Sequence, residues 1–404
     1  MKTFKKSDVQ KLGSMIMYKK CANMKEFRRN MKDELKLLLY LTLYPMKFKP
    51  IFLYIIYVAC QFSFALCLTT YRLLSTFDKN LLLKHGSFGG IEIFVLINLW
   101  TVLFKFRKMT WFINLLNDIF IPIDEDILGK QKYKNIMYNI KFVKIISVLN
   151  YSLAIGAAFG FTLSPEYFNT RTYLAIWIRE NFENHSEYLL FFIHMSNFPV
   201  ALVLVSLCIV MTYSGTRAIF QLIVINKGIE GICDSHIHPN RRYNSKIYQA
   251  MVRQKLKMCV MMHEICIRIS LIGAEIIYVP IVLFSVGGVI LGGSLLLEFF
   301  TNDPTEMSNQ YFGIICFSLA GLISATLYVS SGQLLKDESE KTYNLLVHLP
   351  WYYMNKENKQ IYSIFLQRAA TPISMTNNLI EINFLLLVRR IFELICKKEI
   401  IVRL

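Results

Sequence analysis

Six long apolar runs dominate the chain, and they set the structures it can adopt. A helix needs about 20 mostly apolar residues to cross a hydrocarbon core of about 30 Å. A seventh, weaker run begins near Thr376. The sequence therefore predicts an all-α membrane protein with seven transmembrane helices. The six clear runs are 51–70, 88–104, 143–164, 188–213, 267–299 and 311–333.

The composition agrees with a membrane protein. The 404 residues are 54% hydrophobic and only 18% charged, whereas soluble proteins carry about a quarter charged residues. A net charge of +17 could indicate a nucleic-acid partner. The Lys and Arg residues, however, flank the apolar runs, so we expect membrane lipid as the partner and no nucleic acid.

The distribution of charge predicts the orientation. Residues 1–50 contain 13 Lys and Arg against 4 acidic residues, and the connections 105–142 and 214–265 are also basic. The connection 165–187 is more acidic than basic. Because basic loops stay in the cytoplasm, we expect a cytoplasmic N-terminus. Asn184 then starts an extracellular glycosylation sequon, Asn-His-Ser.

Residues 1–50 do not have the pattern of a cleaved secretory signal, because the first long apolar run comes too late. We expect an amphipathic helix along the membrane surface instead. Within the runs, Pro199 and Pro280 predict kinks. Two glycine pairs spaced by four residues predict either close helix packing or a gating hinge. These pairs are Gly156 with Gly160 and Gly288 with Gly292.

No pattern of an enzyme is present: the chain has neither a glycine-rich phosphate loop nor G-x-S-x-G. The segment 233–238 contains one Cys and two His residues, but their spacing matches no common zinc site. We predict no metal and no cofactor. Glu275 lies inside the fifth run, where an ionisable residue is either functional or paired, here with Arg268.

The C-terminal part carries a family resemblance. Span six continues without interruption into SGQLLKDESEKTYNLLVHLPWYYM. Over residues 325–377 the chain resembles the C-terminal signature of insect odorant receptors. The order of the motif is Gly332-Gln333, Glu338-Ser339, Trp351-Tyr352, Gln367-Arg368, Pro372 and Thr376. Members of that family are seven-pass plasma-membrane proteins with a cytosolic N-terminus.

The resemblance implies a ligand-gated cation channel in which four subunits surround one pore. The loop after span four is too short for the common co-receptor, so this chain resembles a ligand-tuning subunit that forms a heterotetramer with the co-receptor. We expect an N-terminal segment (1–50), six helices containing the ligand pocket (51–334), a cytosolic helical anchor domain (335–375) and an atypical seventh helix with its tail (376–404).

The aromatic residues of the predicted anchor segment have two possible interpretations. The resemblance implies that the aromatic residues are buried in subunit contacts, whereas Trp and Tyr also gather at any membrane interface. The first interpretation is favoured by the spacing of the whole motif. The expected anchor residues are Trp351, Tyr352, Gln367 and Arg368.

A pocket for a small volatile organic ligand is implied in the outer half of the bundle, among spans two to six. Apolar burial supplies affinity there, and a few polar groups supply orientation. The expected ligand-contacting residues are Phe94, Phe159, His194, Met195, Phe198 and Phe317.

The seventh run departs from the family pattern. It is short, contains Glu381, and continues into Arg389-Arg390, charges that would repel cations in an outer pore. Three interpretations stay open: the run crosses as a variant helix, it fails to insert, or the chain ends in a misjoined reading frame. The expected pore residues are Thr376, Asn377 and Asn383.

Two other functions stay open from the sequence. A gustatory receptor would share the architecture. A secondary transporter would also span the membrane repeatedly, but no internal repeat of the kind transporters show is visible.

Overall fold

The computed structural model describes residues 36–75, 79–119, 128–163, 169, 172–234, 237–301, 308–373, 376–377 and 380–381. Nearly all of them are helical, which confirms the all-α fold class. The helices are α1 (Lys36–Met46), α2 (Lys49–Ser75), α3 (Lys79–Ile119), α4 (Lys130–Leu163), α5 (Tyr173–Asn181), α6 (Ser186–Met195), α7 (Asn197–Glu230), α8 (Pro239–Arg242), α9 (Lys246–Thr301), α10 (Ser308–Val347) and α11 (Lys356–Ala369).

Helix α7 occupies the centre of the bundle. Most of its 34 residues are buried, and α1, α2, α3, α4, α9 and α10 all pack against it. A helix that is apolar on every side is stable only when neighbours surround it. The uninterrupted run from Val200 to Met211 meets this condition, so the core forms around α7.

Among the described residues, four stretches of helix are long and apolar enough to cross a membrane: Lys49–Ser75, Lys130–Leu163, Glu183–Glu230 and Phe312–Val347. They contain the predicted spans one, three, four and six. The predicted spans two and five lie within α3 and α9. In parts of these two helices the side chains are not among those described.

Helices α9 and α10 both extend well beyond a bilayer. At about 1.5 Å per residue, α9 with 56 residues is roughly 84 Å long. Likewise α10 with 40 residues is roughly 60 Å long. The charged stretch after span six is therefore a direct continuation of the same helix. Helix α11 packs against the extended parts of α9 and α10. We call this assembly, which includes the predicted segment 335–375, the anchor.

Buried polar contacts join α7 to the anchor. Thr342 donates to the side-chain oxygen of Asn226 at 2.7 Å, and the Asn226 amide donates to Glu338 at 3.0 Å. Ser339, completely buried, accepts from the backbone N–H of Ile373 at 2.8 Å. Buried polar groups must be paired, so the Glu338-Ser339 motif fixes both α7 and the segment after Pro372 to α10.

Helix α1 differs in part from the expected surface helix. Leu39, Leu43 and Met46 are each at most 3% exposed, and the helix packs against α7 and α4. Its apolar face is therefore covered by protein, because α7 needs neighbours on that side. Residues 1–35 of the predicted surface segment lie outside the described residues.

The start of the predicted seventh helix is different in the structure. Thr376–Asn377 and Ile380–Glu381 form a short antiparallel ladder, β1 and β2, with Thr376 opposite Glu381. Thr and Asn side chains compete with helical backbone hydrogen bonds, which disfavours a helix at this point. Residues 382–404 lie outside the described residues.

Glu275 forms an ion pair with Lys108 and not with Arg268, the partner expected from the sequence. Its carboxylate lies 2.6 Å from the Lys108 ammonium group, while Arg268 contacts Glu264. Arg268 and Glu275 share α9, which suggested a pair within one helix, whereas Lys108 lies on α3.

Glycines allow α4 and α10 to touch along their backbones. A methyl group built on Gly160 would lie 2.5 Å from the Cα of Gly313. On Gly156 it would meet the Cys316 sulfur at 3.5 Å. This supports the packing interpretation for the first glycine pair. The surroundings of Gly288 and Gly292 lie outside the described residues.

Gly160→Ala should destabilise the protein by about 2 kcal/mol, because a rigid backbone lies where the new methyl group must go. Gly321→Ala is the matched control, since nothing lies within 4 Å of that position. Thermal unfolding of the purified protein in detergent would measure both. Equal melting temperatures for the two variants would contradict the close contact.

Candidate functional site

The fourth span is interrupted in its outer half, and this interruption forms the candidate ligand site. Helix α6 ends at Met195 and α7 begins at Asn197. Pro199 lies four residues after Met195, so it cannot donate to the Met195 carbonyl and its ring crowds that carbonyl. The chain turns at Ser196, whose backbone N–H donates to the Ile193 and His194 carbonyl groups.

Side chains from α2, α4 and the turn itself form hydrogen bonds around the interruption. The Ser196 hydroxyl donates to the Ile193 carbonyl at 2.5 Å, and Thr162 of α4 donates to the His194 carbonyl at 3.1 Å. From α2, the Gln61 amide donates to the Ser196 hydroxyl at 3.1 Å. The interruption thus brings α2, α4, α6 and α7 together around polar groups inside an apolar bundle.

Hydrogen-bonding capacity is left over at this interruption. The side-chain oxygen of Gln61 and the side-chain nitrogen of Asn197 are both buried, without a hydrogen-bond partner among the described residues. A buried polar group without a partner is costly. These two atoms can therefore receive a ligand or a water molecule.

Three of the six predicted ligand-contacting residues flank the interruption, and a fourth, Phe159 on α4, packs against one of them. His194 is 6% exposed and Met195 is partly buried. Phe159 meets Phe198 edge to face, with ring centroids 4.9 Å apart. An aromatic pair therefore borders the polar groups.

The other two predicted residues lie on different helices. Phe317 is on α10, with its ring 6.1 Å from that of Phe161. Phe94 is on α3, where its carbonyl accepts from Asn98 at 2.7 Å.

Sequence reasoning missed the polar members of the site. Gln61, Thr162, Ser196 and Asn197 are isolated polar residues within apolar runs, and that isolation was the available signal. A buried acidic residue elsewhere in the bundle was also missed: Glu92 is 4% exposed, and its carboxylate accepts a hydrogen bond from Thr69 at 3.3 Å. An acidic residue in the run IEIFVLINLW was visible in the sequence.

The expected anchor residues lie at the two ends of α11: Trp351 and Tyr352 precede it, and Gln367 and Arg368 are in its last turn. Trp351 and Tyr352 are 46% and 58% exposed, and Gln367 is also exposed. Arg368 reaches back to Glu264 on α9, with a nitrogen–oxygen distance of 3.3 Å. In a single chain the two aromatic rings are accordingly free to contact another subunit.

Comparisons with known proteins identify the family. A family model described as 7tm Odorant receptor matches residues 78–388, most of the chain. The chain belongs to the odorant receptor family. A search of curated protein sequences finds no match. Membership in this family of membrane receptors confirms the resemblance found in the C-terminal signature, and it supports neither an enzyme, a gustatory receptor nor a transporter.

Solved structures show the same fold for the receptor. The olfactory receptor OR5 from Machilis hrabei aligns with a TM-score of 0.61 at 12% identity, covering 85% of this chain and 87% of that chain. OR5 in complex with eugenol aligns with a TM-score of 0.60 at 10% identity, covering 98% of both chains.

The remaining predicted positions are placed as follows. Thr376 and Asn377 lie in β1, and Asn383 lies outside the described residues. Asn184 is exposed in a short 3₁₀ turn, Glu183–His185, just before α6. The pore and glycosylation roles remain predictions. The described residues contain no group of three or more His, Cys, Asp or Glu that could hold a metal ion.

A buried histidine lies where the receptor's α9 and α11 pack together. His263 is 1% exposed, and its ring is 5.5 Å from that of Phe365. Burial lowers the pKa of His263 to about 4, with Arg368 adding to the shift and Glu264 opposing it. The imidazole is therefore neutral in the folded protein at neutral pH.

Acidification should weaken this packing. The unfolded chain binds a proton near pH 6.5 but folded His263 does so only near pH 4, so stability is complete above 6.5 and falls as the pH is lowered. The loss by about pH 5 is about 2 kcal/mol. In thermal unfolding, His263→Gln should reduce this pH dependence, while exposed His348→Gln should preserve it. An unchanged pH slope in His263→Gln would contradict the assignment.

Proposed function

We propose that this odorant receptor is a ligand-tuning subunit of the plasma membrane. It binds a small volatile organic molecule and gates a non-selective cation channel in a heterotetramer with a co-receptor. The observation that carries the proposal is the interruption at Ser196, where unpaired polar atoms lie beside an aromatic pair. OR5 from Machilis hrabei has been solved in complex with eugenol, which supports a small organic ligand.

The proposed site has the composition of a small-molecule pocket. Phe159, Phe198 and Met195 supply apolar walls that gain affinity from burial. Gln61 and Asn197 supply one acceptor and one donor to orient a functional group. Such walls adapt to ligand shape, and the polar atoms limit the orientations that a bound ligand can take.

A route from this site to the anchor runs along α7. The helix is continuous from Asn197 at the interruption to Glu230. Near its other end, Asn226 is fixed to Glu338 and Thr342. A ligand shifts the channel toward opening only if it binds the open state more tightly. A ligand that moves the start of α7 displaces the anchor contacts with it.

Assembly uses the exposed side of the anchor. Trp351 and Tyr352 are large, partly exposed aromatic residues of the kind that contribute most to protein interfaces. Gln367 is exposed on α11. Burial of these residues against a co-receptor subunit would hold the heterotetramer together on the cytosolic side.

Whole-cell current in cells expressing this receptor with a co-receptor tests the proposal. We expect a cation current in response to some member of a volatile panel only when both chains are present. Silence with both chains at the cell surface would contradict gating by this chain. Replacing residues 377–404 with the co-receptor's own C-terminus would then show whether the atypical ending, and not the ligand site, is responsible.

Phe198→Ala tests the location of the ligand site. Loss of one buried aromatic contact should raise the concentration needed for half-maximal current by about tenfold or more, equivalent to roughly 1.4 kcal/mol. Phe191→Ala is the matched control, because Phe191 lies on the same span and is 55% exposed. An equal shift in both variants, at equal surface expression, would contradict a site at the interruption.

A further inference from the structure

A proline removes one backbone hydrogen bond from the predicted span five. Helix α9 continues through Pro280, which has no backbone N–H. In an α-helix the N–H of residue 280 would donate to the carbonyl of Ile276, so this carbonyl loses its helical partner. Ile276 lies roughly 14 Å along the helix from the predicted membrane boundary at Ile267. At that depth a released carbonyl needs a donor from the protein, because water is scarce there.

Lys105 of α3 supplies this donor. Its ammonium group donates to the Ile276 carbonyl at 3.0 Å and to the neighbouring Glu275 carbonyl, also at 3.0 Å. Lys105 directly follows the predicted span two and is partly buried. Hydrogen bonds from a charged donor are stronger than those between neutral groups. Lys105 therefore replaces the N–H that Pro280 lacks, and it does so from a different helix.

The neighbouring lysine on α3 makes a different kind of contact with α9. Lys108 bonds to the side-chain carboxylate of Glu275 at 2.6 Å, and the two side chains are 40% and 66% exposed. Exposed ion pairs of this kind contribute little to stability. The Lys108 contact also does not involve the backbone of α9. Only the Lys105 contact should therefore depend on the proline.

Pro280 separates two parts of α9 that have different surroundings. Toward the anchor, Glu264 contacts Arg368, and the His263 ring meets that of Phe365. Pro280 lies 16 residues, or roughly 24 Å, further along the helix. Sharp bends in helices occur mostly at such prolines. Restraint of the backbone at Ile276 therefore restrains the direction of the anchor part of α9 relative to the membrane part.

We propose that Lys105 is the latch of a hinge at Pro280. With its two hydrogen bonds in place, α9 is held against α3 and its backbone carbonyl groups are paired. When Lys105 withdraws, the Ile276 carbonyl loses this donor and α9 bends more easily at the proline. The latch joins spans two and five, and it acts apart from the proposed ligand site at Ser196.

A double-mutant cycle in thermal unfolding of the full receptor in nanodiscs tests this latch. Lys105→Met keeps the apolar stem but removes the donors, and should lower the melting temperature by roughly 4 °C. In a Pro280→Ala background the same change should cost less than about 1 °C, because alanine restores the N–H for Ile276. Lys108→Met is the matched control, and its effect should be equal in both backgrounds.

Hydrogen–deuterium exchange in the α9 peptide 270–285 measures the bending itself. We expect faster exchange in Lys105→Met, protection restored in Lys105→Met with Pro280→Ala, and protection kept in Lys105→Arg, which retains donors. Pro280→Leu restores the same N–H if Pro280→Ala does not fold. An equal loss of melting temperature for Lys105→Met with and without the proline, or unchanged exchange in Lys105→Met, would overturn the proposal. Neither readout requires a current, so both test the latch separately from the proposed channel function.

Discussion

The burial of α7 on every side is the constraint on which the rest of the architecture depends. A helix from Asn197 to Glu230 with apolar residues on all faces requires a complete ring of neighbours. Even α1, which the sequence presents as a surface helix, is used in this ring through Leu39, Leu43 and Met46. Buried hydroxyl groups of α7, such as those of Ser206 and Thr212, donate to carbonyl groups of the helix itself, whereas Asn226 finds its partners on α10.

The two ends of α7 have different chemistry. At its start, Pro199 prevents continuity with α6. There the Ser196 hydroxyl donates to the Ile193 carbonyl, and the Thr162 hydroxyl donates to the His194 carbonyl. At its other end, Asn226 fixes the helix to α10 through hydrogen bonds. The two regions are consequently separated by a long stretch of α7 that is mostly buried.

The sequence predicted much of the fold but only part of the candidate site. Apolar runs locate membrane helices reliably because the bilayer requires a fixed length of apolar chain. The spacing of Gly156 and Gly160 likewise indicated close packing. The partner of Glu275 could not be predicted, because Lys108 is distant in sequence and becomes a neighbour only after α3 and α9 pack. The roles of Gln61 and Thr162 depend on the same kind of long-range contact.

The contact between Gly160 and Gly313 has a mechanical consequence. Two backbones that touch without intervening side chains are a pivot for any rotation of α10 against α4. From Gly313 to Val347, α10 extends roughly 50 Å. A rotation of about 5° at this pivot would move the distant end of the helix by about 4 Å, which is enough to break its hydrogen bonds to Asn226, so the glycine contact and those hydrogen bonds together restrict the tilt of α10.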